Sequence, residues 1–328
     1  MASSSIESGT HHSVLLTEAL DALRIKPDGI YVDGTFGRGG HSRKILEKLS
    51  PRGQLWVFDK DLQAIQSAQL LAAQDARVRV IHDSFERLSD YLVPSGFSGV
   101  DGILCDLGVS SPQLDQADRG FSFSKDGPLD MRMDQSQGPT AAEWLAQVSE
   151  TELAEVLWRF GEERFSKRIA KQIITVRVHT PIHTTGQLAK IILDAMPFKD
   201  PHKHPATRSF QAIRIALNRE LEGLENFLKT VPNCLNPGGV LAIISFQSLE
   251  DRCVKQTFRT WVQGEVDTRP RDLPIAYQKP ETFFSWGIKR VGASEDEQRV
   301  NPRSRSALLR SVVKCDNSIA KDDDENSR

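Results

Sequence analysis

The first third of the chain alternates short β-branched runs with segments of helical periodicity. The apolar positions predict strands at Gly29–Asp33, Gln54–Asp59, Arg77–His82 and Asp101–Asp106, with helices at His41–Leu49 and Leu62–Ala72. Strands and helices that alternate at this spacing indicate βαβ units, in which neighbouring strands run parallel. The sequence therefore predicts an α/β fold with a parallel sheet.

The regular pattern ends near Asp115, after which the chain is rich in Gly, Asp and Ser. Helix start signals of the Thr/Ser-x-x-Glu/Gln type follow at Thr140–Glu143, Ser149–Glu152 and Thr184–Gln187. Between the last two, Glu163–Arg177 carries an apolar helical face. No strand pattern is convincing between 115 and 200, so we expect an all-helical insertion.

Strand signals return after the insertion. Apolar residues at three- and four-residue steps predict one long amphipathic helix from about Pro205 to Val231. Val240–Ser245, Phe283–Lys289 and Ser306–Val313 are predicted strands. The expected organisation is a disordered N-terminus at 1–10, an α/β domain in two parts at 11–114 and 205–314, a helical insertion at 115–204 and a disordered acidic tail at 315–328.

Composition narrows the class of protein. Hydrophobic residues make up 39% and charged residues 26% of the 328, as in ordinary globular proteins, and no apolar window is long enough to span a membrane. The four cysteines are scattered without a Cys-x-x-Cys pair, which argues against a disulfide framework or a metal site. With no secretory signal at the N-terminus, we expect a cytoplasmic protein. The net charge of −2 hides basic stretches at Arg164–Arg177 and Arg299–Arg310.

A glycine-rich turn lies between the first predicted strand and helix. It begins at Asp33 and includes Gly37, Gly39 and Gly40. Glycines there let the backbone approach a ligand closely, although a turn that only needs positive φ gives the same pattern. Asp59 ends the second strand twenty residues beyond Gly39, where an acid commonly binds two ribose hydroxyls; the alternative is that it caps the next helix together with Asp61.

Polar residues also end the third and fourth predicted strands. The third is followed by His82–Phe85 and the fourth by Cys105–Gly108. Acids at successive strand ends suit a ligand with an adenine, a ribose and a charged amino-acid tail, whereas a pyrophosphate favours basic or neutral surroundings. This favours S-adenosylmethionine over a nicotinamide cofactor. Phe85 is a candidate to pack against the adenine, or a core residue.

Longer motifs make the chain recognisable from about residue 11 to 313. They are His11–Leu16, Asp33–His41, Asp106–Gln113, Arg119–Phe123, Gly127–Asp134, Gly161–Phe165, His204–Arg208, Ser245–Arg252 and Asn301–Arg305. Together they closely resemble the bacterial 16S rRNA cytosine-N4 methyltransferase family (RsmH/MraW). The resemblance implies a class I (Rossmann-like) S-adenosylmethionine methyltransferase sheet with an inserted all-helical domain that recognises the substrate.

The resemblance also implies the chemistry and its residues. The expected substrate is a decoding-region cytidine of 16S rRNA within a small-subunit ribosomal particle, and the expected methyl donor is S-adenosylmethionine. The residues that match the family's donor-binding positions are Gly39, Gly40, His41, Asp59, Phe85, Asp106 and Gln113. One position departs from the pattern, because Gln247 stands where the family usually has His. A mechanism that needs an imidazole there is in doubt for this chain.

Methyl transfer to an exocyclic amine needs alignment more than a strong base, because the methylated nitrogen sheds its proton readily. Asp106 is our candidate for the oxygen that accepts the amine's hydrogen; equally, it could bind only the donor. The Asp/Asn-Pro-Pro-Tyr motif of DNA amino-methyltransferases is absent.

Substrate contacts are predicted on the helical insertion. Arg164, Lys167, Arg168 and Lys171 lie opposite the apolar face of their predicted helix and, with Arg132, are candidates for phosphate contact or simply a solvated face. Phe121 and Phe123 could stack on a splayed-out base or form a small core. The motif around Gln247 predicts that this residue contacts the substrate.

Two other function classes are open at this point. A non-catalytic RNA-binding assembly factor could retain a methyltransferase fold, and a nicotinamide oxidoreductase could share the glycine turn. A homodimer is also possible on the sequence alone.

Overall fold

The computed structural model describes residues 13–197, 204–264 and 282–316. The described residues fall into two compact units, one within Met1–Gly108 and Leu224–Arg328 and the other within Val109–Gly223. The expected insertion at 115–204 lies inside the second unit, which reaches further at both ends. The expected disordered N-terminus, and the tail from 317 onward, lie outside the described residues.

The described part of the first unit is built on one mixed sheet. Its strands are β1 (Ile30–Asp33), β2 (Gln54–Asp59), β3 (Val78–His82), β4 (Val100–Asp106), β5 (Leu235–Ser245), β6 (Phe284–Trp286), β7 (Val291–Gly292) and β8 (Leu308–Lys314). The strand order is β3-β2-β1-β4-β5-β8-β6, with β7 also paired to β8. The first five strands in that order are parallel and β8 is antiparallel to its neighbours. The Rossmann-like α/β class predicted from the sequence is confirmed.

Both faces of this sheet are buried. Tyr31, Leu55 and Val57 belong to one apolar cluster. Their neighbours Val32, Trp56 and Phe58 belong to another. Successive side chains of a strand point to opposite faces, so near-continuous apolar runs are required where helices cover both sides.

Helices account for much of the remaining described chain. In the first unit they are α1 (Leu16–Leu23), α2 (Gly40–Lys48), α3 (Leu62–Gln74) and α4 (Leu88–Leu92); in the second they are α5 (Ser111–Asp115), α6 (Ala141–Gln147), α7 (Glu150–Gly161), α8 (Ser166–Arg177), α9 (Thr185–Ala195) and α10 (Ala206–Leu217). They are followed by α11 (Glu220–Thr230), α12 (Ser248–Gln263) and α13 (Glu295–Val300).

The second unit has its own apolar core. Leu153, Ile169, Leu188 and Ile213 are fully buried in it. The helix starts predicted from Thr140, Ser149 and Thr184 are confirmed. Each of these side chains accepts a hydrogen bond from the backbone N–H of the residue three positions later. Among the described residues of this unit, the only β pairing is an isolated bridge between Pro128 and Thr184.

The prediction of one long helix from Pro205 to Val231 is wrong. The chain forms α10 and α11, separated by Asn218 and by Arg219, whose φ of 51° is left-handed. The Asn218 side chain accepts a hydrogen bond from Met133 N (2.7 Å) and donates one to Met131 O (2.8 Å). Because these partners are distant in sequence, an amphipathic pattern could not reveal the break.

Two kinds of feature are absent from the described residues. None of the helices in these ranges combines the length and apolarity needed to cross a membrane. Over the same ranges, no group of three or more His, Cys, Asp or Glu side chains is arranged to hold a metal ion.

Candidate functional site

The glycine-rich turn is fixed by Asp33 at the end of β1. This carboxylate is 1% exposed and accepts hydrogen bonds from Ser42 Oγ (2.6 Å) and Thr35 N (3.1 Å). Burial raises the pKa of Asp33, although His41 and the two hydrogen bonds oppose that change. Asp33 thereby ties the turn to the first turn of α2.

The glycines in the turn are required by the fold itself. Gly37 and Gly39 have φ values of 54° and 73°, which disfavour other residues. At Gly40, a Cβ atom would lie 1.8 Å from Ser13 Oγ, so the segment before α1 occupies the space a side chain would need. The glycine pattern alone is therefore no proof of a ligand. The acids at the neighbouring strand ends are the features that indicate one.

Asp59 is not the helix cap that the sequence left as an alternative. Its oxygens accept hydrogen bonds from Gly37 N (2.8 Å) and Asp61 N (2.9 Å), while Asp61 is the residue that caps α3 through Gln63 N. Protein atoms crowd this half-buried carboxyl and raise its pKa to about 6, although the two N–H donors oppose the rise. Each oxygen keeps a further lone pair that can accept a hydroxyl.

Phe85 lies next to the turn and is half-buried. Its ring packs edge-on against Phe227, with centroids 4.9 Å apart. A Cβ on Gly34 would approach Phe85 Cβ to 3.0 Å, so ring and turn are in close contact. Phe85 is therefore anchored against the core while remaining partly exposed, and its contact with a ligand stays a prediction.

Asp106 at the end of β4 is the most unusual acid of the site. Its backbone N–H donates to Thr35 Oγ1 (2.6 Å), which joins β4 to the glycine turn. Its Oδ1 is buried and has no hydrogen-bond partner among the described residues, and its Oδ2 lies 3.9 Å from His41 Nδ1. Burial, with the nearby carboxyls of Asp33, Glu250 and Glu297, raises the pKa of Asp106 well above its usual range.

The orientation of His41 follows from its other ring nitrogen. Nε2 lies 3.0 Å from the carbonyl oxygen of Val14, and a carbonyl can only accept. Nε2 therefore carries a hydrogen, and Nδ1 is the ring nitrogen that faces Asp106. His41 is 6% exposed, so this orientation is held by packing.

Gln247 has a structural role that the motif did not reveal. It is the N-cap of α12 and forms a reciprocal capping box with Glu250. The Glu250 carboxylate accepts hydrogen bonds from Phe246 N (3.0 Å) and Gln247 N (3.2 Å). Contact with a substrate stays a prediction for this residue.

Gln113 and Arg132 belong to the second unit, where both make local contacts. Gln113 is buried and its Oε1 accepts from Ser110 N (2.9 Å) in the capping box of α5. Arg132 forms a two-pronged ion pair with Asp130 (2.8 and 3.0 Å) and is 20% exposed. These contacts give both residues structural roles, so their ligand contacts remain predictions.

Four other basic residues of the second unit differ from Arg132 in their exposure and contacts. The side chains of Arg164, Lys167, Arg168 and Lys171 are all exposed. None of these four side chains makes a hydrogen bond or ion pair within the described ranges. We call these four residues the basic stripe. By contrast Phe121 is buried and Phe123 packs against Phe210, which agrees with the core alternative for both.

Sequence reasoning missed several groups that shape the site. Thr35 and Ser42 lie within or beside the glycine motif, so their position could have singled them out. Glu297 accepts a hydrogen bond from Leu15 N (2.8 Å) across 282 residues, and no local signal points to it. Glu250 was visible in its motif, but only the fold shows that it faces Asp106.

Comparison with known proteins gives a consistent result. The model of the MraW methylase family matches residues 8–315. Ribosomal RNA small subunit methyltransferase H of Methylobacillus flagellatus is 53% identical over 92% of this chain and 93% of its own length. The protein of the same name from Thioalkalivibrio sulfidiphilus is 52% identical over 92% and 96%.

Solved structures are more distant. An rRNA methylase of Streptococcus thermophilus aligns over 94% of this chain and 100% of its own, with a TM-score of 0.41 and 11% identity. A likeness this distant supports no argument. The family match and the identity over nearly the whole of both chains are decisive, and the chain belongs to the MraW methylase family.

Proposed function

We propose that the protein transfers a methyl group from S-adenosylmethionine to the N4 amino group of a decoding-region cytidine in 16S ribosomal RNA. The observation that carries this proposal is 53% identity, over more than nine-tenths of both chains, to a protein named for methylating small-subunit ribosomal RNA. We take the substrate to be a small-subunit particle in the cytoplasm. Whether the protein acts as a homodimer stays a prediction.

The acids at the strand ends fit the methyl donor. S-adenosylmethionine supplies an activated methyl group on a positively charged sulfur, and it also carries a ribose. Asp59 retains lone pairs for ribose hydroxyls, and Oδ1 of Asp106 accepts no hydrogen bond within the described residues. The donor-binding set is proposed as Asp33, Gly37, Gly39, Gly40, His41, Asp59, Phe85 and Asp106, with Gln113 carried over from the family alone.

Asp106 is also the proposed catalytic residue. An oxygen that accepts a hydrogen bond from the amine helps to localise the lone pair on nitrogen, from where it attacks the methyl carbon. Thr35 holds the backbone of Asp106 through its hydroxyl, so the glycine turn and the acceptor are positioned together. Alignment of this kind is what an in-line displacement requires.

The basic stripe is the proposed contact with RNA phosphates. Exposed cations without protein partners are available to a polyanion, whereas the charge of Arg132 is already balanced by Asp130. Arg132 and Gln247 are retained as weaker substrate candidates, because each already serves a local structural role.

The experiment that tests this function is transfer of tritiated methyl groups to small-subunit particles, followed by nucleoside analysis. We expect label in N4-methylcytidine. Label in another nucleoside would contradict the proposed position, and binding of the donor without any transfer would favour a non-catalytic assembly factor. The Asp59→Ala variant is the matched control for donor-dependent labelling.

A further inference from the structure

Asp106 differs from the other carboxyl groups of the site in what its oxygens contact. Asp33, Asp59 and Glu250 each accept two hydrogen bonds, and Glu297 accepts one from Leu15 N. Asp106 Oδ1 accepts none within the described residues and has no contact with solvent. A buried carboxylate oxygen without a donor is strongly disfavoured, whereas a protonated carboxyl carries no charge to compensate.

The groups that face Asp106 favour the same protonation state. Asp33 on β1, Glu250 on α12 and Glu297 on α13 are acids, Cys105 is its buried neighbour on β4, and His41 on α2 has Nδ1 3.9 Å from Oδ2. At 3.9 Å this last contact is too long for a hydrogen bond, so His41 donates none to Oδ2. Three acids and one imidazole thus lie around Asp106, and a bound cation would favour its ionised form.

We propose that Asp106 is a neutral acid in the ligand-free protein, loses its proton when the cationic methyl donor binds, and takes up the amine's proton during methyl transfer. This inference rests on the proposed function and adds to it the way in which the acceptor becomes active. An opposite charge within about 4–6 Å lowers the pKa of a carboxyl by about 1–3. The donor's positive sulfur would therefore convert Asp106 into the carboxylate that can accept a proton.

The reaction then balances in atoms and charge. The amine nitrogen forms a bond to the methyl carbon, the carbon–sulfur bond breaks with its electron pair left on sulfur, and the nitrogen's proton moves to Asp106. Before transfer the site holds one added cation and one carboxylate; afterwards it holds a neutral thioether and a neutral acid. The affinity of Asp106 for a proton thus rises as the proton becomes available.

Calorimetric binding in buffers of different ionisation enthalpy tests this without methyl transfer. S-adenosylmethionine and S-adenosylhomocysteine share the ribose, so any proton lost from Asp59 is common to both. We expect S-adenosylmethionine to release up to one proton more than S-adenosylhomocysteine at some pH between 5.5 and 8. The extra proton should disappear in Asp106→Asn and persist in His41→Gln.

The outcomes separate the two proposals. Equal proton release by the two ligands in the wild-type protein would overturn the inference while leaving the methyltransferase function intact. An extra proton that persists in Asp106→Asn but is lost in His41→Gln would overturn it too, because the proton would then belong to His41. Failure of both ligands to bind would instead contradict the proposed function. The wild-type comparison needs no variant to fold.

Discussion

At the carboxyl ends of β1, β2 and β4, three aspartates are buried or half-buried, whereas the four cations of the basic stripe on and before α8 are exposed. Asp33 and Asp59 are each held by two hydrogen bonds, and the pKa of all three carboxyls is raised by burial. The side chains of the basic stripe have no hydrogen-bond or ion-pair partner within the described ranges. Enclosed charges suit a small ligand of fixed shape, and exposed ones suit a polyanion whose position can vary.

The largest effect is expected at Asp59, and it tests whether the enclosed acids bind a ligand at all. If Asp59 binds the ribose as proposed, Asp59→Ala removes two charge-assisted bonds, which we estimate at about 2–4 kcal/mol, or about 30- to 1000-fold in donor affinity. Titration calorimetry with S-adenosylmethionine measures it. Asp61→Ala is the matched control, since the Asp61 side chain caps α3 through Gln63 N; equal losses in the two variants would assign Asp59 a structural role.

Replacing Lys167, Arg168 and Lys171 by Ala tests the exposed side of the comparison. If these residues contact phosphates, the slope of log K against log salt for RNA binding should flatten by about 2–3, equivalent to about 15- to 60-fold over a fourfold range of salt. Donor binding should not change. The control variant replaces Lys44, Lys48 and Lys229 of the first unit, which are equally exposed. A slope that stays the same would show that the stripe is only solvated.

The Asp106→Asn variant tests whether Asp106 accepts a hydrogen from the substrate amine in addition to binding the methyl donor. The change keeps the size and an acceptor oxygen but removes the charge, so we expect the rate at saturating donor to fall more than tenfold. Single-turnover methylation measures this rate. If donor affinity falls while the saturated rate is maintained, Asp106 is a donor ligand and not an acceptor.

The raised pKa of Asp59 predicts a pH dependence that the exposed cations cannot produce. With a pKa of about 6 in the free protein, Asp59 is ionised above that pH, and ribose hydroxyls favour the ionised form. Affinity for S-adenosylhomocysteine should therefore be constant above about 7 and about tenfold lower at pH 5. A profile that stays the same in Asp59→Asn would assign the titration to another group.

The smallest effect is expected at Gln247. Because its side chain caps α12, we expect Gln247→His to change the rate less than twofold at pH 8. Gln247→Ala should lower the free energy of unfolding by about 0.5–2 kcal/mol in denaturant titrations. A large gain in rate for the His variant, growing from pH 6 to 8, would show that this chain lacks a proton acceptor its family uses.

Local patterns were sufficient for most of the elements. The first four strands of the sheet, the capped starts of α6, α7 and α9, and the polar residues at the strand ends were all visible, because side-chain periodicity and capping act over a few residues. The same patterns singled out Asp33, Asp59 and Asp106 as candidate site residues. Their position follows from parallel strands, whose carboxyl ends meet at one edge of a sheet.

Only the tertiary structure decided what those residues contact. The break at Asn218 depends on Met131 and Met133, the cap of α3 belongs to Asp61 rather than Asp59, and Glu297 reaches Leu15 across almost the whole chain. The sequence named Asp106 but could not distinguish it from a fully hydrogen-bonded acid. Whether a buried oxygen has a partner depends on groups brought together by folding, and no spacing along the chain records that.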